Sequence, residues 1–105
     1  MGKIDSFLTF DSQMNIVAWT SGAREVFGYE PGEILGRPVF ILVPEDQKDA
    51  TAAVLQQVKK EGHFNGFHTE RIAKNGQRIK VVADVLAIHN PSGDHCATQI
   101  TVRHA

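Results

Sequence analysis

The stretch from Trp19 to Pro38, WTSGAREVFGYEPGEILGRP, constrains this chain more than any other. It holds two helices in quick succession, each too short to persist alone, because nucleation costs more than a few hydrogen bonds return. Thr20 or Ser21 can cap the first helix by accepting from an orphan backbone N–H. Ala23, Val26 and Phe27 recur at helical spacing, and Gly28 supplies the left-handed residue that closes the last turn. Pro31 suits the first position of a second helix, where its missing N–H would be unpaired anyway. Ile34 and Leu35 give that helix an apolar edge, Gly36 closes it, and Pro38 prevents continuation. Such helices must lie on something larger, and the flanking sequence supplies a sheet.

Ser6 to Phe10 and Asn15 to Trp19 are predicted as a hairpin around Asp11-Ser12-Gln13, with Asn15 tolerating left-handed geometry. Val39 to Val43 is continuously apolar, which fits a buried strand or a turn of buried helix. Glu45 to Glu61 is the one long helix, acidic at its start and basic at its end, as its dipole favours. Thr51, Val54, Leu55 and Val58 form its inward stripe, and Gly62 ends it. Three antiparallel strands follow: Asn65 to Ala73, the Lys74-Asn75-Gly76 turn, Arg78 to His89, the Asn90-Pro91-Ser92-Gly93 turn, and a last strand. Ile79, Val81, Ala83, Val85 and Ala87 share a core face; Cys96, Thr98, Ile100 and Val102 share another, which makes Cys96 a buried, inert thiol. The predicted fold is α+β, a five-stranded antiparallel sheet with the short helices and one longer helix packed on one face.

At 105 residues the chain is expected to be one domain, residues 1–105 with a core over about 6–103. The net charge of −1, with 11 Lys and Arg spread along the chain, argues against nucleic acid as a partner. A lone cysteine fits a reducing compartment, and no apolar run approaches a membrane span, so a cytoplasmic module without membrane contact is expected.

The ordered series Phe27-Gly28-Tyr29, Glu33-Ile34-Leu35-Gly36-Arg37-Pro38, Val43-Pro44-Glu45, Lys74-Asn75-Gly76 and Gly93 resembles a PAS domain from about Phe7 to Arg103. The resemblance implies a short helical turn over Val39 to Val43. It further implies a sensory and protein-interaction module of a signalling protein, such as a histidine kinase or diguanylate cyclase. Such modules relay a signal to an output domain through ligand binding or dimer contacts. The alternative is a receptor with a stably bound small molecule, a non-covalent flavin or a metabolite.

The sequence departs from the family in its first turn, where Gln13-Met14-Asn15 replaces the usual Asp-x-x-Gly. Thr20 stands where many members carry Asn, and His104 where an Asp commonly leads into a linker helix. Haem-binding relatives ligate iron through a His on the long helix; here Gln47, Lys48, Asp49, Ala50 and Thr51 occupy those turns, which argues against haem. Light-sensing relatives form a flavin adduct through a Cys after the Gly-Arg pair; Pro38-Val39-Phe40-Ile41 stands there, which argues against adduct flavin chemistry. The cofactor is therefore left unassigned.

No catalytic constellation stands out, and the chain is read as not an enzyme. His89, His95 and Asp94 flank one turn, yet a stable metal site wants three or four convergent ligands, so they are read as exposed turn residues. A catalytic grouping of His68, Glu70 and Arg71 is set aside. The expected pocket-lining residues are Trp19, Phe27, Phe40, Val54 and His68, although a strand-edge His68 facing water is the plainer reading. Val82, Leu86 and Ile88 add apolar surface to the sheet's outer face, the expected seat of a homodimer contact.

Overall fold

The computed structural model describes residues 6–105. Five strands, β1 (Phe7–Asp11), β2 (Ile16–Trp19), β3 (His63–Ile72), β4 (Arg78–His89) and β5 (His95–His104), form one sheet in the order β2-β1-β5-β4-β3. Every neighbouring pair is antiparallel. The last strand lies at the centre, so β5 hydrogen-bonds to both the first hairpin and β4.

Between β2 and β3 lie α1 (Ser21–Phe27), α2 (Pro31–Ile34), a 3-10 turn over Val39–Leu42, a second over Glu45–Gln47, and α3 (Lys48–Glu61). The Thr20 hydroxyl caps α1, accepting from the Ala23 N–H at 3.2 Å, and Gly28 ends it at φ 86°. Pro31 opens α2, and the Glu33 carboxylate turns back to accept the Glu30 N–H at 2.8 Å. Leu35 is 45% exposed, so only Ile34 supplies the apolar edge expected of both. The apolar run over Val39–Leu42 is helical, as the family resemblance implied.

Two features of the hairpins differ from expectation. Met14, not Asn15, takes the left-handed conformation of the first turn, at φ 69°. Its backbone is tied there by the Met14 N–H to Asp11 O bond at 2.9 Å. Cys96 is exposed instead of buried. Ile88 pairs with Ala97 and His89 with His95, which leaves Cys96 as the extra residue of a bulge. The bulge breaks the alternation that would have turned the thiol inward.

The main core gathers Leu8, Phe10, Ile16, Phe27, Ile34 and Leu42 between sheet and helices. A second cluster of Val54, Val58 and Val85 anchors α3. Val82, expected outside, is buried although β4 alternation puts it on the outer face; its cross-strand partners are the long side chains of His68 and Arg103. Of the three residues expected to form an apolar outer patch, Leu86 is exposed and Ile88 half-buried.

Candidate ligand cavity

Between the sheet and the helical layer lies an enclosed cavity of about 30 Å³, with Phe27, Leu42, Val81 and Val102 in its walls and Thr51 and Arg71 as its polar members. Beside it a more open cleft of about 450 Å³ runs between α3, the first turn and the start of β5, lined by Met14, Gln56, Lys59, His95 and Thr98. Phe10, Phe40 and Leu55 line both spaces and form the partition between them.

Arg71 is brought inward by strand alternation: Thr69 and Arg71 are buried, while His68 between its neighbours is exposed on the other face. Arg71 Nη1 donates to the Glu70 carbonyl at 2.8 Å and to Thr69 Oγ1 at 3.0 Å. Thr69 in turn donates to Gln47 Oε1 at 2.8 Å, which links the guanidinium to the residue preceding α3. The guanidinium carbon sits 5.8 Å from the centre of the Phe67 ring. Burial pushes the Arg71 pKa down to about 10, so the group stays cationic near neutrality. Thr51 Oγ1, in the first turn of α3, is buried without a hydrogen-bond partner among the described residues.

The residues singled out in the sequence scatter. Phe27 and Phe40 line the inner cavity. Trp19 lies behind it, 5.6 Å from Phe27 ring to ring, with its indole N–H donating to the Tyr29 carbonyl at 2.9 Å. Val54 packs in the second cluster, and its neighbour Leu55 faces the cavity in its place. His68 does not line the cavity: it is exposed and pairs with Val82 on the outer face, the plainer of the two readings the sequence offered. The grouping of Arg71 with His68 and Glu70, set aside above, is not formed: Arg71 is buried on one face of β3 while His68 is exposed on the other. Glu70 binds the exposed Arg78 at 2.7 Å. The signal that would have found Arg71 was the Thr69–Arg71 alternation opposite the inward residues of β4.

His89 and His95 do approach, with ring centres 5.6 Å apart, while His95 Nε2 lies 3.0 Å from Thr98 Oγ1. Among the described residues no group of three or more His, Cys, Asp or Glu is placed to hold a metal ion. No helix among them is long and apolar enough to cross a membrane.

A flavin or haem does not fit the enclosed space, since about 30 Å³ is far below the roughly 300 Å³ at which cofactor pockets begin. Nor is there a His on α3 or a Cys beside the cavity.

A search of curated proteins gave no match. Among solved structures, a PAS domain from Colwellia psychrerythraea is 25% identical with a TM-score of 0.87, covering 98% of this chain and 87% of that one. The PAS-B domain of Drosophila melanogaster Cycle, a variant with bound glycerol, is 15% identical with a TM-score of 0.84, covering 94% and 98%. The light-state dimer of the fungal blue-light photoreceptor Vivid is 15% identical with a TM-score of 0.78, covering 99% and 80%. The family model described as the PAS fold matches residues 4–103, and with the sheet order and helical layer above, the chain belongs to the PAS family.

Proposed function

We propose that this chain is a sensory and interaction module of a signal-transduction protein, acting as one unit and relaying a change in its cavity to an output domain. A histidine kinase or diguanylate cyclase is the kind of parent the family resemblance favours, and a cytoplasmic setting goes with it. The observation that carries this reading is the cavity itself. It lies where the central strand, the outer strand β3 and the start of α3 meet, so an occupant touches three separately placed elements at once. Binding that favours one packing of those elements shifts their population, which is all that a relay requires.

A homodimer through the outer face is the partner arrangement we propose, seated on Leu86 and the half-buried Ile88. That Vivid forms a light-state dimer supports the reading by analogy of fold. Native mass spectrometry with a visible absorption spectrum tests the ligand side: a small exchangeable molecule and no visible chromophore are expected. A coloured protein would replace this reading with that of a stable cofactor receptor. Light scattering tests the interaction side, where Leu86→Glu is expected to shift a dimer to monomer. A wild-type chain monomeric at high concentration would remove the homodimer.

A further inference from the structure

Among the described residues Arg71 is a buried cation without a counter-charge. It is 9% exposed, and no carboxylate among the described residues forms an ion pair with it. The cations that do form ion pairs, Arg24, Lys48, Lys74, Arg78 and Arg103, all lie at the surface. Both hydrogen bonds that Arg71 makes leave from Nη1, to Thr69 Oγ1 and the Glu70 carbonyl. The Nε and Nη2 edge, two parallel N–H groups in the geometry that grips a carboxylate, makes none among the described residues. Thr51 Oγ1, buried in the same cavity, has no partner either. Two polar groups from separate elements are thus incomplete among the described residues: a guanidinium with one free edge and no counter-charge, and a hydroxyl with no partner. Buried groups of this sort are costly unless something completes them.

We propose that Arg71 and Thr51 form the anion subsite of the cavity, and that the ligand is a small carboxylic acid with an apolar body. This deepens the sensory reading above and rests on it. A carboxylate presents two oxygens to the guanidinium edge and has a further lone pair for the Thr51 hydroxyl. The enclosed space of about 30 Å³ admits a headgroup and little more. The body of the ligand extends past Phe40 and Leu55, both half-buried, into the cleft of about 450 Å³. Phe10, Met14, Phe40, Ala52 and Leu55 in the cleft argue for an alkyl or aryl body, and the inner space, with only Thr51 beside Arg71 as a donor, argues against a phosphate, whose dianion wants more.

The test uses the sodium salts of the straight-chain acids from acetate to octanoate, with the matching alcohols as neutral controls. Binding is followed by the emission of Trp19, the single tryptophan, and by the rise in Tm at increasing ligand. The acids are expected to bind at least ~10-fold more tightly than alcohols of equal length, the discrimination a charge-assisted bidentate contact supplies. Arg71→Met is expected to abolish that preference while keeping the Trp19 emission of a folded core. Thr51→Val, nearly isosteric, should weaken the acids severalfold and leave the alcohols unchanged. Equal binding of acids and alcohols, or an undiminished acid preference in Arg71→Met, overturns the proposal, as does binding of neither by a folded protein, for then the space holds water only. Should native mass spectrometry find an uncharged molecule in the cavity, the anion subsite fails while the sensory reading stands.

Discussion

At the scale of single residues, Thr20 and Arg71 show how differently a polar side chain can be used. The Thr20 hydroxyl accepts the Ala23 and Phe7 N–H groups and donates to the Phe7 carbonyl, so it joins α1 to the edge of β1. Its role as a cap was legible, because a small hydroxyl before a helical run has few other uses; its second role was not, since nothing local predicts that Phe7 returns to it. Thr20→Val keeps the shape and removes the cap, and should cost about 1–2 kcal/mol in a urea titration. Arg71 is the reverse case, a residue that lowers stability where it stands. Replacing a buried charge by an apolar side chain of similar length is commonly neutral or stabilising by about 1–4 kcal/mol, so ligand-free Arg71→Met should unfold at equal or higher urea than wild type. The pH dependence fixes the cause. Burial holds the folded pKa near 10, below the ordinary guanidinium range, so the unfolded chain binds the proton more tightly. The penalty is therefore present at every pH below the folded value and is relieved only as pH climbs from there towards the ordinary one. The gap between Arg71→Met and wild type should stay flat from about pH 6 to 9.

At the scale of elements, what was legible follows the length of each periodic signal. The alternation of Ile79, Val81, Ala83 and Val85 gave the core face of β4, and the stripe on α3 gave its buried side, because each repeats often enough to be unambiguous. Bulges were harder to read: the extra residue at Cys96 leaves no compositional mark, and the irregularity between Phe64 and Phe67 is marked by a single glycine inside the strand. Gly66, in that second irregularity, has φ 74° and donates its N–H to the Asp84 carboxylate at 2.8 Å. Nothing stands near enough to clash with a Cβ there, so the cost of Gly66→Ala is conformational, about 1 kcal/mol of lost stability. The short helix α2 offers a pH test. Its Glu33 carboxylate is held below the ordinary 4.5, first by the Glu30 N–H and then by Lys74, whose ammonium lies 2.8 Å away. A lowered carboxylate pKa stabilises the fold above the ordinary value and loses that contribution as pH falls through the folded one. Glu33→Gln should therefore make the acid limb of a stability–pH curve shallower, with its difference from wild type closing as the pH drops below 4.5.

At the scale of the whole molecule, the cavity residues were only partly legible because lining a hollow is a property of three elements together. Phe27 and Phe40 are large and apolar, and such residues end up near any small core; Leu55 and Val54 are neighbours on one helix, and a rotation of one residue decides which of them faces inward. The same geometry decides how an occupant would be felt elsewhere. Arg71 holds Thr69, Thr69 holds Gln47, and Gln47 precedes α3, whose first turn carries Thr51. A carboxylate gripped by Arg71 and Thr51 would thus tie β3 to the start of α3 at two points instead of one. On the other side Ile100 and Val102 of β5 wall the cavity, while their neighbours Gln99, Thr101 and Arg103 alternate to the outer face that pairs with Leu86, Asp84 and Val82. Tightening should spread along these connections and no further. In hydrogen exchange, adding octanoate should slow the amides of the first α3 turns and of β3 around Thr69 and Arg71, with a smaller effect along β5. The start of α2, where Glu33 accepts from the Glu30 N–H and neither residue lines either space, should exchange as before. Uniform slowing across all five strands would instead mean that the ligand merely raises global stability, and the Gln47–Thr69–Arg71 chain would then carry no signal of its own.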